Sequence, residues 1–343
     1  MPSPEIVPGL ANRETAAPNP GGVPYRVAAC VDTSVMARKV ITHAIAITKA
    51  LDAGLTLVRV LETPPTGERP PDPVDWEIRR REARDAVGRI AEEHMGTIEG
   101  IKAQVVEGQA AEQILIWARD HDVDLTIFST HGEDTATGGR LGKTARAVID
   151  GAVGSFLLVP LAVAADPAIC FRRILVPLDG SCRAESVLPF AVQLARPHRG
   201  EIVLVHVVPI PELTEIGPLE TEALELRERI TVRNERVAHE YLDRVRHRLI
   251  DQGVTVRGVV LRDGDVRRRL ARSVVDEAAD LVVLSAHGRG GHADMPHGSV
   301  AAYQLAHAVT PLLIVNERPA RSPRHLVPAS DCGDLRLPEH ASI

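Results

Sequence analysis

The chain repeats itself once, and this repeat limits its fold more than any other feature of the sequence. Matched positions keep an offset of 147 residues early in the repeat and of 156 residues later. The pairs are Asp32 and Asp179, Val60 and Val207, Gly108 and Gly264, His131 and His287, and Gly142 and Gly298. A period of about 150 residues is too long for a solenoid and indicates a duplicated domain. The nine extra residues of the second copy lie between Val207 and Gly264.

Composition excludes several classes of protein. A length of 343 residues fits two domains, and 3% aromatic residues leave an aliphatic core. The net charge of −6 argues against a nucleic-acid partner. Four scattered cysteines, with no CxxC spacing, fit a reducing compartment and predict no metal framework. No run approaches the ~18 apolar residues of a membrane span, and the first residues lack a signal-peptide pattern, so we expect a cytoplasmic protein without a membrane partner.

Short apolar strands alternate with helices in both copies, which is typical of a parallel α/β sheet covered on both faces. The predicted strands are Arg26–Val31, Leu55–Leu61, Ile101–Val106, Leu125–Ser129, Phe156–Val159, Arg173–Leu178, Ile202–Val208, Val254–Leu261, Leu281–Ser285 and Pro311–Val315. The pattern divides the chain into a flexible arm (1–24), a first repeat (25–161), a linker (162–170), a second repeat (171–317) and a disordered tail (318–343).

Helical periodicity is clear in three stretches. A helix that includes Val40 and Leu51 is expected to stop at Gly54, and one helix is expected from about Ala184 to Arg196. The charged stretch Glu220–Gln252 predicts an amphipathic surface helix, although a partner-binding helix or a lid remains an alternative. The residues expected to face the sheet from it are Leu226, Ile230, Val237, Tyr241 and Val245.

One stretch of the second repeat carries the chemistry. The strand Leu281–Ser285 leads into a polar loop with Gly288, Gly290 and Gly291, and a helix then starts near Ser299. Glycines let the backbone approach a ligand closely, and the free N–H groups and dipole of a helix N-terminus favour an anion. The stretch therefore predicts a phosphate cradle.

Three motifs give the chain a family resemblance. RILVPLDGS forms the first strand of the second repeat, LVHVV the second strand, and S-A-H-G-x9-G-S leads into the last helix. With these motifs both repeats resemble universal stress protein domains, and the chain resembles a tandem member of that family over roughly residues 24–161 and 170–317. The resemblance implies two five-stranded, mostly parallel, Rossmann-like sheets. It also implies ATP binding, with Mg2+ as a companion ion, through the pattern G-x2-G-x9-G-S/T.

The resemblance assigns roles in the second repeat. Asp179 and Val207 would lie near the base and ribose, which fits a carboxylate at the C-terminal end of a strand. Ser285 stands where the family pattern has its first glycine. The residues expected at the nucleotide are Pro177, Asp179, Val207, Ser285, His287, Gly288, Gly298, Ser299 and Val300.

A weaker second site is expected in the first repeat. Glu133 and Asp134 replace Arg289 and Gly290 there, and two carboxylates would repel a phosphate. Lys143 stands where the pattern has Ser or Thr, and its charge offsets part of this repulsion. The residues of this site are Asp32, Val60, His131, Gly132, Gly142 and Lys143.

Other interpretations concern isolated motifs. Thr137–Thr144 differs by one residue from the phosphate-loop pattern G-x4-G-K-T, which would make the protein a nucleotide-hydrolysing enzyme. His287, His292 and His297 are spaced wrongly for a metal site on one helix face, so we expect His287 to brace a turn and the other two to be loop surface. Ser181 is expected to cap a helix, with Cys182 a bystander.

The sequence thus predicts a stress-response protein that binds ATP or a related adenine nucleotide, mainly in the second repeat, and acts as a sensor or regulator. No catalytic base stands out, so at most slow hydrolysis is expected. An exposed apolar edge invites pairing, and the resemblance implies that the apolar last strands of the two repeats pair antiparallel within the chain. Assembly of two chains into a homodimer is an open alternative that the sequence does not decide. A pseudo-dimer that binds no nucleotide is the remaining alternative.

Overall fold

The computed structural model of the protein describes residues 25–63, 72–98, 100–132, 141–152, 154–164, 166, 168–211, 220–289 and 296–316. The predicted arm and tail lie outside these ranges. The strands of the first repeat are β1 Arg26–Cys30, β2 Gly54–Glu62, β3 Lys102–Gly108, β4 Leu125–Ser129 and β5 Ser155–Val159. Those of the second repeat are β6 Arg173–Pro177, β7 Glu201–Pro209, β8 Thr255–Asp263, β9 Leu281–Ser285 and β10 Leu312–Val315.

The helices alternate with these strands along the chain. In the first repeat they are α1 Met36–Leu51, α2 Pro73–His94, α3 Ala110–Asp120 and α4 Lys143–Gly151. In the second repeat they are α5 Cys182–Glu185, α6 Leu188–Ala195, α7 Thr221–Ile250, α8 Val266–Asp276 and α9 Ser299–Ala306. Within the described ranges, no helix combines the length and the apolar character that crossing a bilayer requires.

All ten of these strands belong to one sheet, in the order β3-β2-β1-β4-β5-β10-β9-β6-β7-β8. Neighbours within each repeat are parallel, which confirms the predicted α/β class. The two halves join where β5 and β10 pair antiparallel, with Leu157 opposite Leu313. The expected pairing of the last strands within the chain is therefore confirmed. We call the junction of β5 and β10 the seam.

Aliphatic side chains fill both faces of the sheet, as the scarcity of aromatic residues predicts. One core cluster packs α1, α2, α6 and α7 against the sheet, and a second packs α3, α4, α8 and α9 against the opposite face. Both clusters contain residues from the two repeats, so the cores run across the seam. Every residue of β5 and β10 is buried, which explains why both strands are apolar apart from Ser155 at the start of β5.

The single helix expected from Ala184 to Arg196 is wrong, because the structure divides it into α5 and α6. Pro189 is the cause. A continuous helix would need residue 189 to donate its N–H to the carbonyl of Glu185, and proline has no N–H. The first helix also ends differently from the expectation: Asp52, with φ 50°, takes the left-handed position, and Gly54 instead begins β2.

The sheet-facing side of α7 was only partly predicted. Tyr241 and Val245 are buried as expected, whereas Leu226 is 48% exposed and its assignment to that side is wrong. The buried positions of α7 start at Thr231. A helix of 30 residues is about 45 Å long, and the adjacent nine-residue strand β7 spans about 30 Å, so the first turns of α7 extend past the sheet.

Candidate functional site

Two loops of the second repeat meet at one edge of the sheet. Strands β6 and β9 are parallel neighbours, with Ile174 opposite Leu281. Asp179 follows the carboxyl end of β6, and Gly288 follows that of β9. Ligand sites in open α/β sheets lie outside the carboxyl ends of neighbouring strands. The topology therefore places the sequence-predicted residues of the second repeat around a single position.

The carboxylate of Asp179 is held by the loop around it. Its Oδ1 accepts the backbone N–H of Ser181 at 3.0 Å and the Ser181 hydroxyl at 2.6 Å. Its Oδ2 accepts the backbone N–H of Arg289 at 2.6 Å, which ties the two loops together. Oδ1 thus accepts two hydrogen bonds, whereas Oδ2 has a second lone pair, so Asp179 retains acceptor capacity at Oδ2 for a ligand hydroxyl or amine.

The Asp179 side chain is ionised at neutral pH. Burial acts to raise its pKa, but the hydrogen bonds from Ser181 and Arg289 and the positive charge of Arg289 outweigh burial and hold the pKa below its usual value. A negative charge is thus fixed at the end of β6.

Glycine at position 288 is required by the close approach of the two loops. A Cβ placed on Gly288 would overlap the Oδ2 atom of Asp179. Any other residue there would push the carboxylate away and break its bond to Arg289. The backbone of Gly288 is also left uncovered by a side chain, as a bound phosphate requires.

The long loop after β9 closes on itself. The N–H of Gly298 donates to the carbonyl of Ala286 at 2.8 Å, which brings Gly298 back beside the end of the strand. α9 then begins at Ser299, whose side chain is exposed. Because the N-cap Gly298 has no side chain, the first N–H groups of α9 are not capped by that residue and stay available for an anion.

The remaining predicted residues lie on the strands and the helix that flank these loops. Ser285, which stands where the family pattern has a glycine, donates its hydroxyl to the carbonyl of His287 at 2.6 Å and so stabilises the turn. Pro177 ends β6 opposite Val205 and is half-buried. Val207 is buried in the core on β7, and Val300 is half-buried in the first turn of α9.

Sequence reasoning missed one residue, His206. Its Nδ1 lies 2.7 Å from the carbonyl oxygen of Leu178, next to Asp179, and its ring meets Tyr241 of α7 edge-on. Burial lowers the pKa of His206. The signal was a polar residue within the apolar run LVHVV, and only the packing of α7 gives that residue a location near the site.

The first repeat has the same framework. Asp32 Oδ1 accepts the N–H of Ser34 at 3.0 Å and its hydroxyl at 2.6 Å, a Cβ on Gly132 would lie 2.8 Å from Asp32 Oδ2, and Gly142 N–H donates to Thr130 at 2.8 Å. His131 Nδ1 lies 2.9 Å from the hydroxyl of Thr130. The structure therefore brings together Asp32, His131, Gly132, Gly142 and Lys143, with Val60 on the neighbouring strand β2.

The carboxylates Glu133 and Asp134 fall outside the described residues, as do Thr137 to Arg140 of the phosphate-loop pattern. Lys143 and Thr144 are the first two residues of α4, and both are exposed. In the chain order, the phosphate-loop pattern thus comes between β4 and the start of α4, and not directly after the first strand of the domain.

The three-histidine pattern has a different outcome from the one expected. His292 lies outside the described residues. The expectation that His297 is loop surface is wrong, because its side chain is only 7% exposed. No cluster of three or more His, Cys, Asp or Glu side chains suited to a metal ion occurs in the part of the chain that the structure describes.

The serine and cysteines behave as ordinary structural residues. Ser181 Oγ accepts the N–H of Ala184 at 3.2 Å, which confirms its predicted capping role. Cys182 is exposed and not part of a disulfide. Burial raises the pKa of Cys30 to about 12, so that thiol stays protonated.

Comparison with known proteins finds relatives of both repeats. A model of the universal stress protein family matches residues 25–160 and 171–316. A universal stress protein of Mycolicibacterium smegmatis is 25% identical over 311 residues, covering 86% of this chain and 98% of its own length. A universal stress protein of Mycobacterium tuberculosis is 26% identical over 203 residues, covering 57% of this chain and 63% of the relative.

Two solved structures share the fold over most of their length. The crystal structure of a universal stress protein from Archaeoglobus fulgidus has a TM-score of 0.58 at 16% identity, and covers 86% of this chain and 98% of that one. A functionally unknown protein from Pseudomonas aeruginosa has a TM-score of 0.59 at 13% identity, and covers 85% and 92%. At these identities the likeness extends to the fold alone.

Proposed function

The chain belongs to the universal stress protein family, with both repeats matching the family model, and on that premise we propose that the second repeat binds an adenine nucleotide, ATP foremost, at the loop from Gly288 to Ser299. Its role is that of a sensor or regulator whose conformation responds to the bound nucleotide.

The observation that carries this proposal is the junction of Asp179 with the loop after β9. The Asp179 carboxylate bonds to Arg289, and a Cβ on Gly288 would overlap the same carboxylate. A carboxylate for a ribose or a base, a bare backbone for phosphates, and a helix N-terminus therefore meet at one edge of the sheet.

Each group has a distinct task in the bound state. The remaining lone pair on Asp179 Oδ2 accepts a hydrogen bond from a ribose hydroxyl or the adenine amine. The hydroxyl and N–H of Ser299, together with the N-terminal dipole of α9, stabilise the phosphates. Mg2+ would arrive on the phosphates with most of its water shell, as it does at many nucleotide sites, and needs no cage of protein carboxylates.

Direct identification of the nucleotide tests the proposal. Purified protein is denatured, any released nucleotide is identified, and the apo protein is then titrated with Mg2+-ATP by calorimetry. The informative variant is Gly298→Ala, because its new Cβ would lie 3.5 Å from the nearest described atom, an ordinary contact that leaves the free protein undisturbed. We expect this methyl group to obstruct the phosphates and to weaken binding at least tenfold.

The first repeat supplies the matched control. Gly142→Ala alters the equivalent position of the weaker site and leaves the second repeat intact. Binding lost with Gly298→Ala and kept with Gly142→Ala supports a site in the second repeat, and the reverse result assigns it to the first. A wild-type protein that releases no nucleotide and binds no added ATP would overturn the proposal.

A further inference from the structure

The residue before the phosphate cradle, His297, lies at the seam between the two repeats. Its ring meets the ring of Phe156 edge-on, with centroids 5.7 Å apart and an interplanar angle of 84°. Phe156 belongs to β5 of the first repeat and is fully buried. One residue later, Gly298 caps α9. A single peptide bond thus joins the candidate nucleotide site to the packing of the opposite repeat.

A hydrogen-bonding atom is left unsatisfied in this position. Among the described residues, the buried Nε2 of His297 has no hydrogen-bond partner. An unpaired polar atom in a protein interior costs about 1–3 kcal/mol. By the repeat offset of 156 residues, the equivalent position in the first repeat is Leu141. Leu141 packs against the core cluster that contains Phe156, and its side chain has no polar atom to leave unpaired. A histidine at position 297 therefore carries an energetic cost that a leucine at the same position would not.

Charged groups approach His297 from both repeats. His287 comes from the loop after β9, and Asp150 comes from α4 across the seam. Burial lowers the pKa of His297, His287 lowers it further, and Asp150 opposes both. The imidazole is therefore mainly neutral at pH 7 in the free protein. Among the described elements that pack against it, β5 contributes the uncharged ring of Phe156.

We propose that His297 is a positioning residue that gains a proton when phosphates occupy the cradle at Gly298 and Ser299, and so couples nucleotide binding to packing across the seam. This inference rests on the proposed nucleotide function and deepens it. Phosphate charge one residue away favours the imidazolium, and the imidazolium is attracted to Asp150 of α4. Nucleotide bound to the second repeat would thereby strengthen the attraction between His297, which precedes the cradle, and Asp150 of the first repeat.

Proton linkage provides the test. Mg2+-ATP is titrated into the full chain by calorimetry at several pH values between 5.8 and 8.2, in two buffers of different ionisation enthalpy. His297→Leu installs the residue type of the first repeat, and His297→Gln keeps a polar side chain that does not titrate. His247→Gln removes an exposed histidine of α7 and is the control.

We expect all four proteins to bind ATP with similar affinity at pH 8.2. On acidification the wild type and the control should gain affinity over the two His297 variants, by up to about tenfold per pH unit within the window of the shifted pKa, and should take up an additional proton. Titration of the phosphates is common to every protein and cancels. On ATP binding, hydrogen exchange of the β5 amides should slow in the wild type. It should not slow in either His297 variant.

Three outcomes overturn the inference. Equal proton uptake in wild type and His297→Leu leaves the nucleotide function standing and removes the coupling. A loss of affinity that is the same at every pH in both His297 variants assigns the residue a purely structural role. A wild type that binds no ATP at any pH refutes the nucleotide function itself, and the coupling with it.

Discussion

The Oδ2 atom of Asp179 accepts the backbone N–H of Arg289 at 2.6 Å, across a separation of 110 residues. This bond joins the first and fourth strands of the second repeat at their carboxyl ends. The Asp-Gly-Ser turn that follows β6 therefore requires a glycine at position 288, because a Cβ there would overlap the Asp179 carboxylate.

Substitution of Gly288 tests that junction. Gly288→Ala places a methyl group against the Asp179 carboxylate, and we expect a loss of about 1–3 kcal/mol in the free energy of unfolding together with loss of ATP binding. Urea denaturation and ATP titration measure the two effects. Gly88→Ala on α2 is the control, since no atom lies within 4 Å of its added Cβ, and it should not lose stability. Wild-type stability in Gly288→Ala would contradict the junction.

A buried acidic side chain at the end of α5 fastens α7 to that helix. Glu185, which is 8% exposed, accepts the Tyr241 hydroxyl at 2.9 Å and also bonds to Arg248. Glu185→Ala removes the buried acceptor that bonds to the Tyr241 hydroxyl and to Arg248, and we expect a loss of about 1–3 kcal/mol in denaturant unfolding. Glu185→Gln keeps an acceptor for Tyr241 and should lose less. Equal losses in the two variants would show that the Tyr241 bond contributes little.

The stability of the protein should depend on the titration of His297. The folded-state pKa of His297 is lowered from 6.5, so the unfolded chain binds the proton more readily. Stability from this group is present above pH 6.5 and is lost as the pH falls through 6.5 towards the lower folded-state pKa. Relative to wild type, His297→Leu should therefore become more stable at pH 5.5 than at pH 7.5. A difference in unfolding free energy that is constant with pH would contradict this.

The seam between the repeats is a core interface. Leu313 of β10 lies opposite Leu157 of β5, and both are essentially fully buried. Leu313→Ala should destabilise the protein by about 2–5 kcal/mol in denaturant unfolding, because it leaves a cavity between the halves. Val232→Ala, at a position that is 48% exposed, should change stability by about 0.5 kcal/mol or less. A change of less than about 1 kcal/mol in Leu313→Ala would show that the halves are held together elsewhere.

Local patterns accounted for most of the elements. All ten strands lie close to their predicted ranges, because a strand buried on both faces must be a short apolar run with turn residues at its ends. The repeat added information that no single stretch carries. It matched Asp32 with Asp179 and Gly132 with Gly288, and the structure places each aspartate against the glycine of its own repeat.

Errors arose where a local signal competed with a second one or with distant packing. The apolar periodicity around α6 hid the effect of Pro189 on the preceding turn. The apolar residue Leu226 continues the helical pattern of α7, but the sheet below α7 ends before it. Periodicity records which side of a helix is apolar, and the length of the neighbouring strands determines how much of that side is covered.

The sequence by itself determined the duplicated α/β architecture and the family resemblance, and it predicted candidate residues for the two loop sites, since all three follow from spacing along the chain. Only the tertiary structure decided that His297 is buried against Phe156, that His206 lies between Leu178 and Tyr241, and that a side chain at position 288 would meet Asp179. Each of these contacts joins segments that are distant in sequence. Their partners are selected by the pairing of strands within one sheet, and that pairing is a property of the folded chain.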